Sequence, residues 1–320
     1  MFKFGCFKAA GLGVMFLLGL PPSASAGLLG VAGEYGEFVF GSSSRSNTSS
    51  QGPVAVGGSA SFSSFSIANS APVGAADPNL VVGGSLSFWN GSLAQGSGYV
   101  AGAASVHNVG FPGGGSIQGG VAPPIDFSAE QASLAAISAA QYSADDVTVT
   151  PLHGSLTFGA ANATGLQVFN VSAYDLSHAD SFKIKGKDSS TVIINVLGSM
   201  AGFQNADFKF AGGVTSSRVL WNFIDAGALS ISGVGVNGTI LAPLAVVTFS
   251  DGQVNGSLIA ASLSGSGATR IVQDDLDTRF TGIGRSGGVP EPASLAMLGT
   301  AAVVGLGLAA ARRRRTRGGA

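Results

Sequence analysis

The residues best equipped for chemistry are acidic and lie near the end of the repeat-containing region. Asp274, Asp275 and Asp277 stand together, with Arg270 before them and Arg279 after them. Grouped carboxylates can cleave a glycosidic bond by acid–base catalysis, and they can also bind calcium. The sequence therefore admits a polysaccharide-cleaving site here. The competing interpretation, which we favour, is a solvated loop that caps the end of the domain.

The other candidate residues are isolated. His107, His153 and His178 have no neighbours at the spacing of metal ligands, and Cys6 is the only cysteine, so a zinc site has too few ligands. The pair Asp145–Asp146 is interpreted as a turn. We therefore predict an exported protein without catalytic residues, metal ligands or cofactor, with calcium as the one cofactor left open.

Charge also limits the choice of partners. Residues 27–292 contain 9 Lys and Arg against 17 Asp and Glu, a formal charge of −8. Because attraction to phosphates supplies most non-specific nucleic-acid binding, a nucleic-acid partner is not expected. Lys183, Lys185 and Lys187 alternate along a predicted strand. This stripe could meet an anionic polysaccharide, but a merely soluble face is the interpretation that we favour.

The first segment, residues 1–26, is typical of an export signal. Two lysines precede an apolar stretch over 9–20, and small residues follow. Cleavage by signal peptidase is expected at Ala24 and Ala26, leaving Gly27 as the new N-terminus. A structural N-terminal helix is the alternative.

The last segment, residues 289–320, has three parts. A Pro-Glu-Pro motif precedes an uncharged stretch over 293–311, which is long enough to span a bilayer, and an arginine cluster follows within 312–317. The motif comprises Val289, Pro290, Glu291 and Pro292. The cluster comprises Arg312, Arg313, Arg314, Arg315 and Arg317.

This order resembles the PEP-CTERM sorting signal of Gram-negative bacteria. The resemblance implies that an exosortase cuts near the motif, so the helix would be a transient inner-membrane anchor. An ordinary tail anchor is the alternative.

The body between the two ends repeats with a short period. Residues 81–90 resemble 99–108, and 237–242 resemble 255–260, both at an offset of 18, while a further copy at 55–62 precedes the first by 26. Eighteen extended residues trace roughly 60 Å of backbone, enough for one turn of a three-sided β-helix.

Side chains of such coils alternate between interior and solvent. Ala60, Phe62, Leu86 and Phe88 are predicted to fill the interior, and the serines between them to form an outward ladder. Glycine pairs at 57–58 and 83–84, and Asn-Gly steps at 90, 237 and 255, are predicted at corners that need positive φ.

One segment lacks the strand pattern. Residues 126–142 are rich in alanine, contain no glycine and follow two prolines, so they are predicted to form a helix. Ser128 and Gln131 can form a capping box, and Leu134 and Ile137 offer an apolar stripe. We expect this helix to pack along the stack. A linker helix between two domains is the alternative.

Short motifs follow one another in series over most of residues 33–282. They occupy residues 37–41, 54–58, 80–86, 124–127, 168–171, 192–196, 220–223 and 238–243. Their order resembles the choice-of-anchor A family, whose module is similar to ice-binding-like adhesive β-helix domains.

The resemblance implies a mainly β fold, in which a right-handed parallel β-helix spans 27–288 with the long helix alongside. It implies adhesion or biofilm-matrix formation at the cell surface, with an extracellular polysaccharide or surface protein as partner, and it supplies no catalytic residues. A polysaccharide-active enzyme and an ice-binding protein are the alternatives. Ice binding would need a regular array of hydroxyls, and the ladder visible in the sequence is short.

Overall fold

The computed structural model describes residues 28–70 and 78–270. The predicted signal segment with Ala24, Ala26 and Gly27 lies outside the described residues. So do the acidic cluster over 274–279, the Pro-Glu-Pro motif at 289–292, the predicted membrane span over 293–311 and the arginines within 312–317. No helix in the described ranges has the length and apolar character needed to cross a bilayer.

The described chain is mainly β, with two α-helices and two short 3-10 helices, at Gly30–Glu34 and Ser216–Arg218. The α-helices are α1 (Phe127–Ala140) and α2 (Ala173–Ser177). The strands are β1 (Glu37–Val39), β2 (Ser43–Ser50), β3 (Val54–Val56), β4 (Ala60–Ile67), β5 (Leu80–Val82), β6 (Leu86–Leu93), β7 (Gly98–Val100), β8 (Ala104–Gly110), β9 (Ile117–Gly119), β10 (Val147–Thr148), β11 (Ser155–Phe158), β12 (Gly165–Ser172), β13 (Ser181–Lys185), β14 (Ser190–Leu197), β15 (Met200–Gln204), β16 (Asp207–Ala211), β17 (Val219–Phe223), β18 (Ala228–Ser232), β19 (Gly235–Asn237), β20 (Thr239–Ser250), β21 (Gln253–Asn255), β22 (Leu258–Gly265) and β23 (Ala268–Arg270).

The strands stack as coils of a parallel β-helix, since every pairing between named strands is parallel. The predicted offsets are confirmed: Val81 pairs with Tyr99, and Asn237 pairs with Asn255. The copy at the offset of 26 is confirmed too, because Ala55 pairs with Val81. The right-handed sense of the winding stays a prediction.

The first described strand, β1, lies in the middle of this stack, between β3 and β22. One side, here called the helix face, has the strand order β9-β7-β5-β3-β1-β22-β20-β17-β14-β12-β10. The first coils therefore run outward to one end, and helix α1 follows. The later coils start at the opposite end and return until β22 pairs with β1. The first and last coils of the described chain thus form a seam between two halves.

The interior is mainly apolar and rich in aromatic rings, and the side chains predicted to fill it do so. Ala60, Phe62, Leu86 and Phe88 are each at most 3% exposed. Rings from successive coils meet edge to face, as between Phe62 and Phe88, whose centroids are 5.6 Å apart. Offset and edge-to-face contacts of this kind add to the free energy of burial.

A buried ion pair lies at the seam. Arg45 donates to Glu37 Oε1 at 3.1 Å, and neither side chain is exposed to solvent. Thr269 Oγ1 donates to the same carboxylate oxygen at 2.8 Å. Arg45 also donates to the backbone carbonyls of Gly265 and Gly267. Residues from the first and last coils of the described chain are therefore joined inside the stack.

Helix α1 packs on the helix face, which excludes the alternative of a linker between two domains. Leu134 and Ile137 are buried in one cluster with Phe38, Leu241 and Ile259. The predicted apolar stripe of the helix is thus confirmed, and its boundaries fall within two residues of the predicted ones.

The predicted capping box is wrong. Asp126 caps the helix instead, because its side chain accepts hydrogen bonds from the backbone N–H groups of Ser128 and Ala129. The side chain of Gln131 donates to the Pro243 carbonyl at 3.0 Å and so ties the helix to the stack. The carboxylate of Asp126, two residues before Ser128, is the better cap, since its negative charge also lies at the positive N-terminal end of the helix dipole.

A buried asparagine ladder holds the other end of the helix. Asn170, Asn195 and Asn222 are in register on three successive strands. Asn222 donates to Asn195 at 2.8 Å, and Asn195 donates to Asn170 at 3.1 Å. The same amides donate to backbone carbonyls at or just beyond the C-terminus of α1, including those of Ser138 and Gln141.

The glycine pairs lie at bends, but the prediction of positive φ for them is wrong. None of the four glycines at 57–58 and 83–84 has a positive φ. A Cβ at Gly83 would instead collide with the backbone of Gly57 in the next coil. Close approach of two coils is what requires glycine there. The Asn-Gly steps do reach positive φ, at Asn90 (52°) and at Gly238 (124°).

Candidate functional site

One side of the stack carries an exposed row of hydroxyl groups, here called the hydroxyl ladder. It follows the register of seven adjacent parallel strands. In spatial order its members are Ser230, Thr248, Ser264, Ser44, Ser61, Ser87 and Ser105. All are exposed except Ser87, which is half-buried. At the usual separation of paired strands, seven rungs extend over roughly 29 Å.

The side that carries this ladder is called the ladder face. Its strands turn apolar side chains such as Phe62, Phe88 and Phe249 inward, so the hydroxyls between them must face solvent. A shallow trough of about 700 Å³ runs along the face. Most of its lining is serine, with Ser42, Ser59, Ser85 and Ser262 beside the ladder itself.

The ladder is longer than the sequence suggested. Five serines at 59, 61, 63, 85 and 87 were visible in the pattern, and threonine did not recur in step with them. Of these, Ser61 and Ser87 belong to the row, which the structure extends to Ser44 and then across the seam to Ser264 and Thr248. The expectation of a short ladder is therefore wrong, because residues far apart in sequence become neighbours where the last coil meets the first.

An aromatic pair stands at one end of the ladder face. Trp89 and His107 occupy paired positions on β6 and β8, and their rings stack with centroids 4.2 Å apart. Trp89 Nε1 donates to Ser87 Oγ at 3.0 Å, and His107 Nε2 lies 3.2 Å from Ser105 Oγ. Both contacts join the rings to rungs of the ladder. The sequence placed His107 without a metal partner, and the offset of 18 between 81–90 and 99–108 aligned it with Trp89, but the stacking of the two rings is seen only in the structure.

No charged side chain belongs to the ladder. The lysines gather elsewhere, on the three-stranded sheet of β11, β13 and β16. Lys183 and Lys185 alternate with buried residues as predicted, but the strand ends at Lys185, so the prediction that Lys187 continues the stripe is wrong. The register adds Lys209 directly beside Lys183. The ladder face thus offers neutral hydrogen-bonding groups, whereas the positive charge lies on a separate sheet.

The remaining predicted chemical residues are dispersed. Asp145 and Asp146 form a turn in which Asp146 accepts from the Ser143 backbone. His178 stacks on Tyr174, four residues earlier, and His153 lies in a turn. Within residues 28–70 and 78–270, no three His, Cys, Asp or Glu side chains gather closely enough to hold a metal ion.

Comparison with protein families identifies this architecture. Residues 28–271 match the family model of the ice-binding-like adhesive domain. The chain belongs to that family. The ice-binding-like adhesive domain therefore includes the complete described stack, the helix that packs on it and the ladder face. No curated protein matches the sequence.

Solved structures with some likeness to the ice-binding-like adhesive domain are ice-binding proteins. One comes from an Antarctic biological consortium, with 13% identity over 78% of this chain and 94% of that chain and a TM-score of 0.37. A glycosylated protein from Arctic yeast has 15% identity, coverages of 84% and 97%, and a TM-score of 0.35. A domain from Shewanella frigidimarina has 12% identity, coverages of 77% and 96%, and a TM-score of 0.35.

Proposed function

We propose that the protein is an exported, non-enzymatic adhesin or biofilm-matrix component, and that the ladder face is its contact surface. The observation that carries this proposal is the hydroxyl ladder, which runs in register over seven coils. Its partner is an extended, uncharged, hydroxyl-rich surface, for which an extracellular polysaccharide is the leading candidate.

The chemistry of the ladder suits such a partner. Each hydroxyl both donates and accepts a hydrogen bond, so a row of them can match a polymer that carries hydroxyls of its own. Single contacts of this kind are weak in water, and only a long row adds them into useful affinity. The family assignment supports a location at the cell surface or outside the cell.

The route to that location is part of the proposal. Signal peptidase removes residues 1–26, the span at 293–311 holds the chain in the inner membrane of a Gram-negative bacterium, and an exosortase then cuts near Pro290–Pro292. These processing enzymes and the membrane are its expected partners before release. The acidic body argues against nucleic acid, and no cofactor is proposed.

Adhesion of cells tests the role of the ladder. Thr248→Lys with Ser44→Lys places two strongly hydrated charges on exposed rungs. The matched control, Ala136→Lys with Asn162→Lys, adds the same charge at exposed positions on helix α1 and in a turn, away from both the ladder and the lysines of β13 and β16. We expect the ladder variant alone to lower attachment and matrix retention. Equal behaviour of the two variants would refute the assignment of this face.

Ice is a second candidate surface, favoured by the length of the ladder. Hydroxyls at each strand spacing, over seven coils, form the regular array that the sequence pattern alone seemed to lack. Inhibition of ice recrystallisation by the wild type, lost in the Thr248→Lys and Ser44→Lys variant, would support this function. Absence of the activity in the purified domain would exclude it.

A further inference from the structure

Trp89 is the feature of the ladder face that the proposed function leaves unexplained. Its side chain is 47% exposed, whereas the chain's other tryptophan, Trp221, is fully buried. Exposing this much indole to water is unfavourable, and an exposed indole is a frequent anchor in binding sites. Side chains of serine size occupy the same outward position on the preceding coils, at Ser46 and Ser63.

The two faces of the indole have different neighbours. One is covered by His107, whose ring is nearly parallel, at 24°. The other is directed toward the preceding coil, where the paired residue is Ser63, small and exposed. The aromatic pair therefore forms a wall that rises beside a floor of serines. The hydrogen bond from Trp89 Nε1 to Ser87 fixes the ring in this position.

This combination fits one class of ligand. A hexopyranose ring has an apolar face of C–H groups and a rim of hydroxyls, so it can stack on an indole while its rim contacts neighbouring hydroxyls. The hydroxyl ladder carries no charge that would select an anionic sugar. A flat crystalline surface fits this end poorly, since the wall interrupts the plane of the face.

We propose that Trp89, backed by His107, and the serines at 61 and 63 form a binding site for one hexopyranose unit of an uncharged polysaccharide. The site rests on the proposed function, because it places the end of the polymer on the ladder face. It adds a stacking contact to a row of hydroxyls, and so it fixes where along the face the polymer is held most tightly.

Affinity measurements with defined sugars test the site. The probes are cellohexaose, laminarihexaose and isomaltohexaose, with hexagalacturonate as the anionic comparison, titrated calorimetrically into the full exported chain. We expect one of the neutral hexamers to bind, Trp89→Ala to weaken it at least tenfold, and Trp89→Phe to restore part of the loss.

Tyr174→Ala is the matched control. Tyr174 is 70% exposed and stacks on His178 with centroids 4.1 Å apart, but it lies on helix α2, which packs against β15 at the opposite end of the ladder from Trp89. Its removal should leave sugar affinity unchanged. Matching circular dichroism spectra and melting temperatures would show that both variants fold.

Tryptophan fluorescence reports directly on the site. Acrylamide should quench Trp89 and spare the buried Trp221, so bound hexamer should protect about half of the quenchable emission or more. Trp89→Ala should leave only emission that acrylamide and sugar do not affect. Protection that persists in this variant would contradict the assignment.

The inference fails if no neutral hexamer binds, if hexagalacturonate binds more tightly than all of them, or if Trp89→Ala binds like the wild type. Its failure is distinct from that of the proposed function. If cell adhesion depends on Thr248 and Ser44 while Trp89→Ala adheres normally, the ladder stands and the sugar site is wrong. If the ladder variant adheres normally, the proposed function is wrong.

Discussion

At the scale of single residues, the ion pair between Arg45 and Glu37 is the most consequential contact of the interior. It is fully buried, yet it is not fully satisfied, because Glu37 Oε2 and Arg45 Nε have no hydrogen-bond partner. Removing two charges from water is expensive, so such a pair contributes less than its geometry suggests. The pair instead contributes specificity, because it joins the first described coil to the last one in a single arrangement.

Breaking the pair from one side should therefore cost more than removing both charges. Arg45→Met leaves the Glu37 carboxylate buried without its cation and should lower the free energy of unfolding by about 3–5 kcal/mol. Arg45→Met with Glu37→Gln retains an oxygen that accepts from Thr269 and should recover at least half of that loss. Urea unfolding measures both. Equal destabilisation by the two variants would mean that the ion pair is not a coupled unit.

Tyr35 supplies a pH-dependent prediction at the same scale. Burial raises the pKa of this phenol from 10.0 to about 12, and the negative charge of Glu34 makes a smaller contribution in the same direction. The unfolded chain releases the proton at the lower pH, so stability is intact below pH 10 and falls as the pH rises to about 12. The loss should approach about 3 kcal/mol.

Ultraviolet titration of ionised tyrosine checks this expectation. One of the four tyrosines should ionise about two pH units above its ordinary value, and Tyr35→Phe should remove that late step. The variant should also lose the associated fall in stability at high pH. An unchanged titration curve in Tyr35→Phe would assign the late step to another residue.

At the scale of elements, the asparagine ladder determines how α1 is held. Asn222 donates to the Ser138 carbonyl and to Asn195, and it accepts from the Ser138 hydroxyl at 2.6 Å. Asn222→Ala leaves these buried groups unpaired and should cost about 1–3 kcal/mol. Asn162→Ala, at an exposed position, should cost less than about 0.5 kcal/mol. Hydrogen exchange should speed up in α1 in the first variant only.

The N-cap offers an independent prediction for the same helix. Asp126→Ala removes the acceptor for two backbone N–H groups and should destabilise the protein by about 1 kcal/mol. Ser128→Ala should have little effect, since the predicted capping box does not form. Thermal unfolding of the two variants decides between Asp126 and Ser128 as the cap.

The coil period and the helix could be predicted from sequence because both are local patterns. Repeats at an offset of 18 place similar residues on adjacent coils, as at Trp89 and His107. The asparagine ladder was harder to find, since its members recur at uneven offsets. Its only signal was an Asn at the same place in three apolar motifs, at 170, 195 and 222.

At the scale of the whole molecule, the seam explains why the sequence predicted only part of the hydroxyl ladder. Ser59 and Ser61 lie on one coil and Ser85 lies on the next, so their repetition was visible. Ser44 and Ser264 become neighbours only because the two halves of the stack meet. No periodicity in the chain can reveal such a pairing. The exposed Trp89 was visible as a residue, but its wall-like position depends on the register with Ser63.

Processing belongs to this scale as well. Mass spectrometry of the protein recovered from cells should find an N-terminus at Gly27 and a C-terminus near Pro290–Pro292. A strain without exosortase should instead accumulate a membrane-bound form that retains the arginines within 312–317. A mature chain that still carries those arginines would show that the segment is an ordinary tail anchor.

The position of β1 in the middle of the stack determines the order in which the coils can pair during folding. On the proposed export route, β1 would be the first of the described strands to leave the channel, and its neighbour β22 would be among the last. Until β22 arrives, one edge of β1 has no strand to pair with. Contacts between distant parts of a chain form slowly, so the central coil must close last, after translocation is almost finished. A chain stalled partway would expose this edge to its neighbours, which makes completeness of secretion a condition for avoiding aggregation.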